Sequence, residues 1–375
     1  MAWVTKLEGP RRGTRYRVQW RDPSGRHRSK TFRRRKDAAE FANRTELELS
    51  AGTWRDPGAA RTLLRDQLRA SLDGAVDLRP ATRELYEGVA RLHLVPALGD
   101  LPIGQVRPED VREWMADLQG RGVGARTIQI ARQVLSRCLG EAVADSKIPT
   151  NAVRSARAPQ ARRRELVIPR TADVEAIADA VAPAFRAMVL LAAYGGLRFG
   201  ELAGLQRRDV RILERRVEVR RQAVETSSGV ALAELKTRGS RRTVTIPASV
   251  AEELARRLQG VAPDPEAQVF TAAHGALLRR RNFRRRVWLP ALAAAGVRGV
   301  RFHDLRHHAA AAAIAAGAHP KAIAWRLGHS SITVTMDTYG SLFPGLDEEL
   351  AERLDGARAL ARPDGQVLEL PTASG

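Results

Sequence analysis

The stretch FRAMVLLAAYGGLRFGE, residues 185–201, decides the fold of the carboxyl-terminal half of the chain. Residues 185–193 are apolar except for Arg186, which predicts a helix that is buried on most sides. The glycine pair at 195–196 permits a close approach of the backbone or of a ligand. The stretch therefore predicts a buried helix that delivers Arg198 to the edge of a core.

The segment around this stretch, about residues 165–355, mixes helices with a few strands. Alternation over residues 217–220 predicts a strand. Residues 230–236 and 242–246 predict two further strands around a turn at 237–240. Helices are expected from there onwards.

The preceding segment, residues 61–155, is expected to be helical throughout. One helix is predicted to be capped by Thr82, with Leu85, Val89 and Leu92 on its buried face. Others are predicted to open at Pro108 and at Thr127. Periodicity places the apolar side chains between these starts in a core, including Met115 and Cys138, to which we assign no chemistry.

Residues 1–60 predict three short strands followed by a helix. Aromatic and β-branched residues mark the strands, and residues 22–25, Asp-Pro-Ser-Gly, predict a hairpin turn. A small sheet with many arginines is suited to lie in a DNA groove. The alternative is a module that serves only dimerisation or folding.

The charge of the chain favours a polyanionic partner. Of 375 residues, 63 are Lys or Arg and 42 are Asp or Glu, which gives a formal net charge of +21. Cations that neutralise phosphates release counterions, so nucleic acid is the favoured partner over a membrane surface or mere solubility. The cations also cluster, at 33–36, 162–164, 279–281 and 284–286.

Cysteine content and hydropathy exclude other classes of protein. The single cysteine, Cys138, excludes a disulfide framework and a cysteine-based zinc site. Neither an apolar run of about 18 residues nor a secretory h-region is present, so no membrane partner is expected. We expect a cytoplasmic, nucleoid-associated protein.

Cleavage of a phosphodiester without a metal requires a nucleophile, fixed positive charge and a proton donor. Arginine suits the non-bridging oxygens because its planar fork donates two hydrogen bonds and stays charged. Histidine and lysine supply acid chemistry, and a tyrosine ester conserves the energy of the broken bond. The third segment contains such a set, in the order Arg198, Lys236, His303, Arg306, His329 and Tyr339.

Four motifs in this segment resemble those of the tyrosine recombinases of the phage integrase family. They are Gly-Leu-Arg-x-Gly-Glu at 196–201, His-Asp-Leu-Arg-His at 303–307, Leu-Gly-His-Ser at 327–330, and Tyr339. Each is weak alone, but all four occur in the family's order. The sequence departs from the family at His308, where a threonine is common.

The resemblance implies a role for each site residue. Tyr339 would attack the phosphate and form a 3′-phosphotyrosyl link, while Arg198 and Arg306 hold the non-bridging oxygens. His329 would bond to the phosphate, Lys236 would protonate the leaving 5′-oxygen, and His303 would assist proton transfer at Tyr339. Glu201 and Asp304 would orient these cations. No metal, ATP or other cofactor is implied.

The remaining histidines favour packing or surface positions over catalysis. This applies to the neighbouring pair His307 and His308, and to His27, His93, His274 and His319. A metal site built on His303, Asp304 and the 307–308 pair is disfavoured, because Arg306 would repel a divalent cation.

The expected fold is mainly α with small β-sheets (α+β), in three modules. They are an N-terminal arm-type DNA-binding module at 1–60, a helical core-binding domain at 61–155, and, after a basic linker at 156–164, a mixed α/β catalytic domain at 165–355. A flexible tail at 356–375 ends the chain. An amphipathic stretch, residues 346–361, is expected to dock either on a neighbouring protomer or on its own domain.

The resemblance implies a site-specific recombinase that acts on double-stranded DNA at attachment or recombination sites. The expected arrangement is a two-domain clamp on duplex DNA, and a homotetramer because recombination requires four cuts. An accessory directionality factor is a further expected partner. The alternatives are a topoisomerase-like enzyme that nicks and closes one duplex, a catalytically silent DNA-binding regulator, and a metal-dependent nuclease.

Overall fold

The structure, a computed structural model, describes residues 2–7, 14–23, 25–56, 58–160, 165–235, 240–343, 351–352 and 354–358. The chain divides into two compact units, Met1–Arg164 and Glu165–Gly375. Helices predominate and the sheets are small and antiparallel, so the predicted fold class, mainly α with small β-sheets, is confirmed.

The first unit begins with a three-stranded sheet in the order β1-β2-β3, formed by β1 (Trp3–Leu7), β2 (Arg15–Arg21) and β3 (His27–Phe32). Along β2, Val18 and Trp20 are buried, whereas Arg17 and Arg21 are exposed, as alternation across a pleated strand requires. Helix α1 (Arg35–Ser50) packs on the buried face. The predicted sheet-plus-helix arrangement is confirmed.

The rest of the first unit is helical. Its helices are α2 (Leu64–Asp73), α3 (Pro80–Val89), α4 (Val95–Leu98), α5 (Pro108–Gly120) and α6 (Ala125–Ala144). Along α6 the buried side chains recur at helical spacing, at Ile128, Ala131, Leu135, Cys138, Leu139 and Ala142. Burial raises the pKa of the Cys138 thiol to about 12, so this cysteine serves the core, as predicted.

Helix starts and one buried face differ from the prediction. Proline fixes the start of α3 at Pro80 rather than at Thr82, and α6 begins after Gly124 rather than at Thr127. A π-helical segment, Ala90–Leu94, joins α3 to α4 and changes which side chains face the core. Leu94 is fully buried, while Leu92 is 58% exposed; Leu85, which was also predicted to be buried, precedes this segment and is 47% exposed.

The second unit contains two sheets and the remaining helices. The three-stranded sheet has the order β4-β5-β8, from β4 (Val210–Arg211), β5 (Arg216–Val219) and β8 (Arg242–Thr245), and β6 (Arg221–Thr226) pairs with β7 (Gly229–Glu234). The helices are α7 (Thr171–Ala180), α8 (Pro183–Gly195), α9 (Phe199–Ala203), α10 (Ala248–Gln259), α11 (Arg280–Phe283), α12 (Leu289–Ala294), α13 (Asp304–Ala315), α14 (Pro320–Leu327) and α15 (Ile332–Tyr339).

The two strands expected to flank one turn belong to different sheets. Strand β7 pairs with β6, a strand that the sequence did not indicate, and β8 pairs with β5. The sequence RQAVET of β6 lacks the strong alternation that marked β5.

Helix α8 is the centre of the second unit, as its apolar sequence predicts. Of its residues, 187–193 and Gly195 are buried. It lies against α7, α10 and α13, and its side chains belong to the largest hydrophobic cluster of the unit. A smaller cluster joins α13, α14 and α15 and includes Tyr339.

Some expectations fall on residues outside the described ranges. These are the arginines at 162–164, most of the turn at 237–240, and most of the stretch at 346–361 and of the tail. Among the described residues, no helix combines the length and apolar character needed to cross a bilayer.

Replacement of a core leucine of α6 tests this packing. Leu135→Ala removes a side chain with 0% exposure and is expected to lower the free energy of unfolding by about 2–5 kcal/mol. Leu92→Ala, the matched control on the exposed π-helical turn, is expected to change it by about 0.5 kcal/mol or less. Chemical denaturation followed by circular dichroism measures both, and equal losses would contradict the core described here.

Candidate active site

Helix ends in the second unit position the predicted site residues. Arg198 precedes α9 and His303 precedes α13, which carries Arg306 in its first turn. His329 follows the end of α14, and Tyr339 is the last residue of α15. The described residues that the sequence assigned to one site therefore lie at or next to the ends of four helices, α9, α13, α14 and α15.

Two glycines in the left-handed conformation allow these helix ends to approach. Gly196 ends α8 with φ 71°, and a Cβ there would lie 2.6 Å from the side chain of Leu327. Gly328 ends α14 with φ 65°, and a Cβ there would lie 2.8 Å from the guanidinium of Arg242. Glycine is required at both positions for conformation and for space.

A buried carboxylate holds Arg198. Glu201 accepts from the Arg198 backbone N–H at 2.8 Å and from Arg198 Nη1 at 2.8 Å. On its other side, Arg242 Nη1 and Nη2 donate to Glu201 at 3.1 and 2.9 Å. The side chains of Glu201 and Arg242 are 1% and 0% exposed, but that of Arg198 is 37% exposed. Arg198 thus presents to solvent a cation that is bound on its other side by Glu201.

Charge keeps the Glu201 carboxylate ionised in this buried position. Burial opposes ionisation, but hydrogen bonds and charge from Arg242, with the charge of Arg198, hold the pKa of Glu201 below its usual range. Arg242 also donates through Nε to the carbonyl of Arg326 at 2.8 Å and through Nη1 to that of Ser240 at 3.2 Å.

Arg306 is almost fully buried, at 3% exposure. Its guanidinium donates to the carbonyls of Gly196 and Leu327, at the ends of α8 and α14. Burial, followed by the charge of Arg198, lowers the pKa of Arg306 to about 9, which leaves it protonated at neutral pH. These two contacts use two of the five N–H donors of the guanidinium.

Asp304 contacts a different cation from those of the site. It is fully buried and accepts from the backbone N–H and from Nη2 of Arg301, each at 2.8 Å. Through this pair the first turn of α13 is fixed. Its neighbour His303 keeps part of its surface open to solvent, while the protein atoms packed around the ring, followed by the charges of His307 and Arg306, lower the pKa of His303 to about 4.

The hydroxyl of Tyr339 contacts His307. Tyr339 is 2% exposed, and its Oη lies 2.8 Å from His307 Nδ1, within hydrogen-bond distance. The His303 ring lies against that of His307, with centroids 5.3 Å apart. His307, which the sequence assigned to packing or to the surface, is thus the imidazole at the phenol, while His308 is 4% exposed and binds the carbonyl of Pro169.

The two site arginines act electrostatically on Tyr339. Burial raises the pKa of the Tyr339 phenol, and the charges of Arg306 and Arg198 oppose this rise. The phenol is therefore neutral at physiological pH and lies within reach of the cations that would stabilise its anion.

His329 is oriented by a hydroxyl on α15. Its Nδ1 lies 2.8 Å from Thr335 Oγ1, which leaves Nε2 for another partner. Burial, followed by the charges of Arg306 and Arg198, lowers the pKa of His329 to about 4. The ring is therefore neutral at pH 7.

Lys236 lies outside the described residues, so its place stays a prediction. Ser240, the first described residue after that gap, contacts Arg242.

Sequence reasoning missed Arg242 and His307. His307 follows His303 by four residues, a spacing that places both on one helical face. Arg242 had only one signal, the alternation that buries it together with Val244 in β8.

Among the described residues, no cluster of three or more His, Cys, Asp or Glu could hold a metal ion.

Profiles of two protein families match the chain. That of the phage integrase family matches residues 170–344, and that of the SAM-like N-terminal domain of phage integrases matches residues 75–119. The integrase of Mycobacterium phage D29 is 33% identical over 287 residues, which cover 74% of this chain and 74% of the phage protein.

Solved structures share the fold. The Tn1549 transposon integrase, in complex with a circular intermediate DNA, superposes with a TM-score of 0.68 at 19% identity, over 79% of this chain and 99% of that one. A lambda integrase tetramer bound to a Holliday junction gives 0.55 at 20% identity, over 84% and 94%.

The environment of His329 predicts its titration. In the free protein its imidazole is expected to have a pKa of about 4 instead of 6.5. Because the unfolded chain then binds a proton that the folded protein does not, this group makes stability fall as the pH drops from 6.5 towards 4. NMR of the imidazole C–H signals measures the pKa, with His329→Asn to identify the signal; a midpoint near 6.5 would contradict the buried, cation-flanked position.

Proposed function

Because the chain belongs to the phage integrase family and is a tyrosine recombinase, an enzyme that breaks and rejoins DNA, we propose that Tyr339 is its nucleophile. The observation that carries this proposal is the contact of the phenol with His307, which follows Arg306 in α13, together with the binding of Arg306 and Arg198 to carbonyls at the end of α14, just before His329. No second described tyrosine has this environment; Tyr194 donates its hydroxyl to Glu175.

The arrangement of cations suits the transition state of phosphoryl transfer, in which phosphorus is bonded to five oxygens. Arg198 and Arg306 would hold the two non-bridging oxygens through the N–H groups that the protein leaves unused. His329 Nε2, free because Nδ1 faces Thr335, would donate a further hydrogen bond. Arg198 is fixed by Glu201 before the substrate arrives, so it stabilises the developing charge with little reorganisation.

The chemical step joins Tyr339 to the 3′ side of the break and releases a 5′-hydroxyl. We assign protonation of that leaving oxygen to Lys236, which follows β7 in the sequence, and assistance of proton transfer to His303. A 5′-hydroxyl from a partner strand then attacks the phosphotyrosine and reverses the reaction. The energy of the original bond is kept in the ester, so the cycle needs neither ATP nor metal.

A phenol with 2% exposure cannot reach a phosphate on a bound duplex without movement. We therefore propose that α15 shifts when DNA binds and exposes the hydroxyl next to Arg306. Only Tyr339 and Thr335 of this helix are buried, and its other apolar side chains, Ile332, Val334 and Met336, are between 37% and 44% exposed.

We assign DNA contacts to each part of the chain. Residues 165–355 would carry catalysis, and residues 61–155, which precede the basic linker at 156–164, would add contacts to the duplex. The sheet of residues 1–60 would bind separate arm sites through the exposed arginines of β2, Arg17 and Arg21. Four protomers on paired duplexes are proposed, as in the lambda integrase tetramer, with an accessory factor setting direction.

Trapping of a covalent adduct tests the proposal. A duplex selected for binding to this protein, nicked so that the 5′-hydroxyl fragment is lost, is expected to give a covalent protein–DNA adduct in EDTA. Tyr339→Phe is expected to bind the same duplex and give none, because it lacks only the nucleophilic oxygen. Denaturing electrophoresis measures the adduct.

Two outcomes would overturn the assignment: an adduct that survives in Tyr339→Phe, or one that requires a divalent metal. A paired-site assay distinguishes recombination from topoisomerase-like action. Joined products from two duplexes are expected, and relaxation of one duplex without them would favour the nicking-closing alternative.

A further inference from the structure

The group that contacts the Tyr339 hydroxyl is His307, which ends the motif at 303–307 but received no catalytic role from the family resemblance. Its Nδ1 lies 2.8 Å from Tyr339 Oη, and the two rings meet edge to face with centroids 5.7 Å apart. His303, to which assistance at the phenol was assigned, stacks on His307 instead. Before α15 moves, the imidazole that contacts the phenol is therefore that of His307, and a role in the reaction requires that this contact is kept when the helix shifts.

We propose that His307 is a catalytic residue that accepts the proton of Tyr339 as the phenol attacks the phosphate. This inference rests on the proposed function, since it needs Tyr339 to be the nucleophile. It names a general base, and it leaves His303 to act through the His307 ring.

The surroundings of His307 keep it ready to accept a proton. Its own helix places Asp304 and Arg306 near it, Arg301 lies just before α13, and α15 contributes Tyr339. The nearby rings are those of His303 and His329. Burial lowers the pKa of His307; Asp304 opposes this shift, and Arg301 and Arg306 add to it. At neutral pH the ring is thus uncharged, and with its own proton on Nε2 it offers Nδ1 as the acceptor.

The step balances when written atom by atom. The proton of Tyr339 passes from Oη to His307 Nδ1 while a bond forms between Oη and phosphorus. The bond between phosphorus and the 5′-oxygen breaks, and that oxygen takes a proton from Lys236. On rejoining, the 5′-hydroxyl returns its proton to Lys236, and His307 returns its proton to the departing phenolate. The imidazolium formed on the way lies next to Asp304, which stabilises it.

The same contact has another reading, in which His307 only holds the phenol in its buried position. The two roles predict opposite effects. A base that is removed slows cleavage, whereas a latch that is removed frees the nucleophile and speeds cleavage.

Single-turnover cleavage of the nicked duplex distinguishes these roles in the full-length protein. His307→Asn keeps an amide oxygen near the position of Nδ1, which can accept a hydrogen bond but takes no proton at neutral pH. It is expected to slow adduct formation by about 10²–10³-fold, as loss of a general base does, with DNA binding unchanged. His307→Ala is expected to slow adduct formation at least as much. In His307→Asn the deficit in rate is expected to become smaller as the pH rises, because hydroxide then accepts the proton of the phenol.

Lys236→Ala is the matched control, because it removes the acid instead of the base. In a duplex whose leaving 5′-oxygen is replaced by sulfur, the thiolate departs without a proton. This substrate is expected to restore the cleavage rate of the Lys236→Ala variant but not that of the His307→Asn variant. Conversely, a more acidic phenol, introduced as difluorotyrosine at position 339, is expected to recover at least about tenfold of the rate in His307→Asn.

The possible results distinguish a failure of the role assigned to His307 from a failure of the proposed function. A near-normal rate in His307→Asn, a faster rate in His307→Ala, or no recovery with the acidic phenol would each overturn the role of His307 while the adduct of the unmodified protein still supports Tyr339. An unmodified protein that forms no adduct would overturn the proposed function itself. DNA binding by each variant shows that it is folded. If His307→Ala does not fold, the rate of His307→Asn alone tests the role of His307.

Discussion

The buried carboxylate of Glu201 is the contact on which the rest of the site depends. It lies between two guanidinium groups, one of them fully buried, and its own side chain is 1% exposed. A charge in this position is costly unless it is paired and its oxygens are hydrogen-bonded. Both oxygens are bonded here, so Glu201 stays ionised and fixes Arg198. An isolated guanidinium at the surface would sample many rotamers.

The same ion pair ties together pieces of chain that are far apart in sequence. Arg242 reaches the carbonyl of Arg326, while Arg198 and Arg306 reach those of Gly328 and Leu327. The end of α14 is therefore held by three guanidinium groups, and His329 follows it directly. Helix termini leave carbonyls without intrahelical partners, and here arginine side chains satisfy them. As a result the site is rich in positive charge. This charge lowers the pKa of His329 and keeps its ring neutral until a phosphate binds.

Local sequence was sufficient for part of this arrangement. Apolar residues around Arg198 predicted a buried helix before it, and four motifs brought Arg198, Arg306, His329 and Tyr339 to one site. The contact of His307 with Tyr339 joins residues 32 apart, and the pairing of Arg242 with Glu201 joins residues 41 apart. Such contacts depend on how helices cross, which no local pattern records. The exposed Leu92 has a similar cause, because one π-helical turn changed the phase of its helix.

Replacement of the ion pair by apolar side chains tests most directly whether it serves the site or only the fold. The double variant Glu201→Leu with Arg242→Met removes both buried charges, an exchange that is often nearly neutral for stability, although the carbonyls of Arg326 and Ser240 lose a donor here. If Glu201 fixes Arg198, the rate of single-turnover adduct formation falls at least about 100-fold, equivalent to about 2.7 kcal/mol of transition-state stabilisation, while the protein still folds and binds DNA. A folded double variant that forms the adduct at the rate of the unmodified protein would contradict this account.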